Sequence, residues 1–138
     1  MTVEEQEPIK QKGYADAMRY IANAKVYLSN SGMDGRFYTD AKYVRGASGI
    51  AYSGVLVALD VLAEIKKVPN PKKGSRKSVN FYRDILKDNQ KLQTCFDTVY
   101  KDLHLSGYYD GNLDSTVIKS GFEIAKELIN LIKPRGVL

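Results

Sequence analysis

Apolar residues recur along this chain at spacings of three and four, and the spacing predicts four helices. The first runs from about Ile9 or Lys12 to Ser29, with Tyr14, Ala17, Met18, Ile21, Ala24 and Leu28 along one face. Asn30-Ser31-Gly32 ends it, and Asp34-Gly35 supplies a turn in the short connection Met33 to Tyr38. The second, capped by Thr39 or Asp40, continues to about Lys67 and stops before Pro69. Ser75 or Ser78 opens the third, marked by Phe81, Tyr82, Ile85, Leu92, Cys95, Phe96, Val99 and Leu103. Its pattern turns polar at Lys87-Asp88-Asn89-Gln90-Lys91, where a kink or an exposed turn is expected. The segment His104 to Asn112, punctuated by Gly107 and Gly111, reads as a connection. The fourth helix, capped by Asp114 or Asn112, carries Val117, Ile118, Gly121, Phe122, Ala125, Leu128, Ile129 and Ile132 and ends at Pro134 and Gly136.

The second helix organises the rest. Tyr43 to Ile65 is apolar or small on nearly every side, except along the line Lys42, Gly46, Gly49, Ser53, Val57, Asp60, Glu64. A helix of that kind must be covered by neighbours on most sides. The fold class expected is all-α, an up-and-down antiparallel four-helix bundle, with no competing strand signal. Residues 9–133 form its single domain, between a disordered tail, 1–8, and a C-terminal tail, 134–138.

The chain has 138 residues, enough for one core, and its composition of 43% hydrophobic and 27% charged residues is ordinary for a globular protein. No run of about 18 consecutive apolar residues, the length of a membrane span, is found, because Asp60 and Glu64 interrupt the best stretch. With no apolar segment behind a basic start at the N-terminus, a cytoplasmic location is expected. The single cysteine, Cys95, excludes an internal disulfide and sits among apolar positions as a small core residue.

Net charge is +5, and no acidic residue separates Glu64 from Asp84. Lys72, Lys73, Arg76 and Lys77 crowd one loop there, which either solubilises a connection or attracts phosphate, leaving nucleic acid as a weakly supported partner. Gly46, Gly49 and Ser53 let another backbone come close. Packing within the fold, a seam with a second copy, or a ligand groove would each use them.

The lone histidine, His104, falls at the end of the third helix beside Tyr100, Tyr108 and Tyr109. His104, Tyr108 and Tyr109 are the ligand-binding candidates, with a histidine capping carbonyls under tyrosines as the structural counterpart. One histidine and one cysteine make no common zinc site, and the carboxylates show no metal-loop spacing, so neither metal nor cofactor is expected. Asp60 and Glu64 share a face and suit solvation or a lysine contact.

The first-helix pattern YADAMRYIANAKVYL, followed after a turn by YVRGASGIAYSGVLVALDVL, resembles the HEPN-like superfamily of helical bundles. The resemblance implies a bundle that often dimerises, and whose members include RNA-cutting proteins with an arginine four to six residues before a histidine. Here His104 stands in the right region, but no arginine precedes it at that spacing; Tyr100 occupies the position four residues earlier. The expectation is therefore a non-enzymatic binding or protein-interaction module, a homodimer or the holder of a protein partner, away from membranes. The alternative is a divergent RNA-cleaving or nucleotide-handling enzyme using His104 and the neighbouring tyrosines.

Overall fold

A computed structural model describes residues 1–71 and 77–136. Five α-helices are described: α1 (Val3–Leu28), α2 (Ala41–Ile65), α3 (Val79–Ile85), α4 (Gln90–Val99) and α5 (Ser115–Ile129). A π-helical segment, Tyr100–Tyr109, continues α4 without a break, and a 3-10 turn, Asn130–Ile132, closes α5. Two-residue strands β1 (Met33–Asp34) and β2 (Phe37–Tyr38) pair antiparallel between α1 and α2.

Helix α2 lies at the centre, packed by α1, the π segment, α5 and α3. Its positions Val44, Ala47, Ala51, Val55, Ala58 and Leu59 are sealed from solvent, while Ile50 and Leu62 are half-buried. The cover is thus less complete than the apolar circumference predicts. By length and composition α2 could cross a bilayer, with a mean hydropathy of 1.6 over its most apolar window, half of it buried inside the fold. The expectation concerns an unbroken apolar run, which Asp60 and Glu64 do interrupt; an average over a window tolerates an isolated charge.

Caps follow the sequence closely. The Asp40 side chain accepts from the Lys42 amide, Ser78 from Phe81, and Asp114 from Thr116. Each satisfies one of the free amides at a helix start.

Four expectations need correction. The N-terminal tail is helical from Val3, because Thr2 and Glu5 form a reciprocal capping box that secures the first turn ahead of Pro8. The third helix is two helices, broken in the polar stretch where a kink was expected; Asn89 restarts the chain by accepting from the Leu92 amide. The presumed connection after His104 is π-helical up to Tyr109. Strands exist, in a hairpin with Gly35 and Arg36 at its tip and Gly35 at φ +60, the conformation a tight hairpin favours. This hairpin ties the α1–α2 corner to the start of α5, through Tyr38 N donating to Leu113 O (2.8 Å) and Ser115 N to Arg36 O (3.0 Å).

Candidate functional site

The π segment sets the site. Its backbone bonds close from i to i+5, so a turn holds more residues than an α-turn and side chains four or five apart share a face. Tyr100, His104, Tyr108 and Tyr109 are spaced in this way. The His104 imidazole stacks on Tyr52 (centroids 4.7 Å), Tyr100 (5.1 Å) and Tyr108 (5.9 Å), and meets the edge of Tyr109 (5.0 Å). Beneath them Tyr52 stacks on the sealed Phe96 ring (6.4 Å). Such offset and edge-on pairs add to area burial.

Glycines bring the segment against α2. A methyl group at Gly107 would collide with Ser48 of α2, and one at Gly121 of α5 would sit 2.6 Å from Leu103. The Ser48 hydroxyl pressed under Gly107 is buried without a hydrogen-bond partner among the described residues. At the far end Arg45 of α2 donates to the carbonyls of Tyr108 (3.2 Å) and Tyr109. A cation belongs there, where a helix leaves its carbonyls unpaired. Gly111, at φ +62, turns the chain beneath that guanidinium.

The result is an open groove of about 580 Å³ with Gly46, Gly49 and Ser53 as its floor and Tyr20, Tyr108, Tyr109 and His104 on its sides. Two sets of residues that the sequence singled out separately, the small-residue line and the histidine with its tyrosines, therefore meet in one place. The glycines are already in use, however. A methyl at Gly46 would strike the Tyr27 ring, and one at Gly49 would lie 3.0 Å from Tyr108. The close approach they permit is made by side chains of the same chain, and only Ser53 is exposed.

Burial pushes His104 below its ordinary value, so the imidazole is neutral at pH 7. Among the described residues its ring caps no carbonyl, and Arg45 donates to those of Tyr108 and Tyr109. Burial, with Tyr100 close by, pushes the Tyr52 phenol up to about 12, and it stays protonated. Among the described residues His104 makes no ion pair, and no cluster of three ligating side chains could hold a metal. The groove offers aromatic faces, hydroxyls and one neutral imidazole, with no ionised group on its lining.

Elsewhere, Lys77 pairs with Asp60 (3.0 Å), which also accepts from the Tyr82 hydroxyl (3.1 Å), so Asp60 does meet a lysine. Lys72, Lys73 and Arg76 lie outside the described residues. Sequence reasoning missed Arg45, Tyr20 and Tyr52 as parts of the site. The step of four from Tyr100 to His104 to Tyr108 was the available signal.

Fold and groove together define a mainly helical protein with an aromatic cleft on its central helix. Residues 12–134 match the family described as "Domain of unknown function (DUF5618)", and the chain belongs to that family. A solved structure, a protein of unknown function from Dyadobacter fermentans, is 39% identical, with a TM-score of 0.79 over 88% of this chain and 94% of that one. Neither description names the HEPN-like superfamily. No curated protein matches the chain.

Proposed function

We propose that this protein is a non-enzymatic binding module on a HEPN-like four-helix bundle, with α3, α4 and the π segment serving together as the third arm. Its contact surface is the tyrosine groove, and the partner it holds there is a second copy of the chain. The observation that carries this reading is the exposure of Tyr20 (36%), Tyr108 (45%) and Tyr109 (59%) around a lining with no ionised group. Exposed aromatic rings around a concave, uncharged surface are the composition of an interface centre. A two-fold contact uses one patch twice, so the protruding Tyr109 of each copy can enter the groove of the other. His104 supports the non-enzymatic half: a neutral imidazole stacked against rings, with no carboxylate orienting it among the described residues, lacks the partner a general base requires.

Light scattering coupled to size exclusion tests the dimer. A dimer at micromolar concentration that becomes monomeric in Tyr108→Ser/Tyr109→Ser is the expected result; a monomer at high micromolar concentration removes the proposal. Incubation with mixed RNA tests the enzymatic alternative. Cleavage by the wild type that disappears in His104→Ala would establish that alternative instead.

A further inference from the structure

A second concavity, of about 500 Å³, opens between the end of α1, the hairpin and the outer face of α5. Its chemistry is unlike that of the groove. Leu28, Met33 and Phe122 form apolar walls, and Lys25 and Lys119 stand over them. Tyr38 lies at its base with its ring buried, while its hydroxyl, which has no hydrogen-bond partner among the described residues, is not sealed and keeps contact with solvent in the opening. Burial holds that phenol above its ordinary value, so it remains a donor.

Charge is unbalanced in the same place. Lys25 comes up against Lys126, whose nearness, together with burial, holds the Lys25 ammonium below its ordinary value. The one carboxylate on the lining, Glu123, pairs with Lys126 at 3.7 Å. Lys25 and Lys119 have no carboxylate within ion-pair distance among the described residues. Two lysines against one glutamate leave the lining with a single excess positive charge. The α1 carbonyls nearby are engaged, Val26 O by the Ser29 hydroxyl (2.5 Å) and Tyr27 O by the Asn30 side chain (3.2 Å), so they do not compete for the ammonium groups.

From this arrangement we infer that the pocket binds a small monocarboxylate with an apolar body, its carboxylate held by Lys25, Lys119 and the Tyr38 hydroxyl and its body laid on Leu28, Met33 and Phe122. A single excess charge matches one carboxylate. A phosphate monoester, carrying roughly two negative charges at pH 7, would exceed that single positive charge. The inference is independent of the groove and of any dimer.

Amide chemical-shift titrations of the intact protein with phenylacetate and with hexanoate test it, using 2-phenylethanol as the uncharged counterpart of phenylacetate. Saturable shifts are expected at Lys25, Tyr38 and Lys119 and not at His104 or Tyr108. Affinity should fall about tenfold in Lys25→Gln/Lys119→Gln, the loss of roughly one ion pair, and about threefold in Tyr38→Phe, the loss of one hydrogen bond. Both lysines are exposed and Tyr38→Phe keeps the ring, so the variants remain folded, which unchanged melting curves verify. Three results would each overturn the inference: no saturable shift with either acid, an alcohol that binds as tightly as phenylacetate, or undiminished binding by the double-lysine variant.

Discussion

The protein carries two concave surfaces of similar size, about 580 Å³ and about 500 Å³, and they make opposite demands. In the groove His104, Tyr52, Tyr108 and Tyr109 each have a ring beside them, the glycines are filled from within, and Arg45 next to it is spent on backbone carbonyls. Its own side chains have met its polar needs, and what it presents outward is apolar area. In the pocket the apolar walls are ordinary, while among the described residues a solvent-touching phenol has no hydrogen-bond partner and two ammonium groups have no ion pair. Apolar area suits a broad contact whose energy comes from burying surface; unmet charge and an idle donor suit a small ligand that supplies the missing groups. The proposed interaction surface and the inferred ligand site thus differ in where their polar groups find partners.

That contrast can be broken most forcefully from below the groove. Phe96→Ala removes the ring on which Tyr52 rests and should cost about 3–5 kcal/mol in urea unfolding. On the readings proposed above, the folded fraction should be monomeric and should still bind phenylacetate. Next, Gly107→Ala drives a methyl into Ser48 and should cost about 1–3 kcal/mol, part of which Ser48→Gly in the same chain restores. If Gly107→Ala is harmless, the π segment does not lie against α2.

Arg45→Ala should cost about 1 kcal/mol by uncapping the π segment, and hydrogen exchange at Asp110, Gly111 and Asn112 should quicken. Acidification probes the same region. The folded pKa of His104 is lowered by burial from 6.5, so the unfolded chain binds the proton more readily. The stability that the neutral imidazole contributes is complete above pH 6.5 and drains away as the pH falls through the folded value. The melting temperature should decline over that range and decline less in His104→Phe. The smallest effect belongs to the pocket: Lys126→Gln should shift stability by less than about 0.5 kcal/mol while changing phenylacetate affinity, since it removes the cation crowding Lys25.

Much of the architecture was legible because burial and capping leave local marks. The apolar stripes of α1 and α5, the central place of α2, the caps at Asp40, Ser78 and Asp114, and the break near Asn89 all follow from residue type and spacing. The Thr2–Glu5 capping box was also written in the sequence, but the charged residues around it read as a tail. The π segment was not legible. Gly107 and Gly111 look like loop punctuation, whereas Gly107 is buried and lets a helix touch Ser48, and only Gly111 turns the chain. Tyr100, His104 and Tyr108 do step by four, a spacing that shares a helix face, but the glycines beside them made the stretch read as a connection. The pocket was beyond sequence reasoning for a different reason: Lys25, Tyr38 and Lys119 come from three elements, and nothing local joins them.

Because the chain contains one histidine, its imidazole protons report on the groove without ambiguity. A proton NMR titration of the native protein is therefore the most direct measurement. Imidazole resonances moved well upfield by the rings of Tyr52, Tyr100 and Tyr108, titrating with a midpoint below 6.5, are the predicted result. Resonances at the positions of a free histidine, titrating at 6.5 or above, would contradict the stacked π segment and the groove built on it.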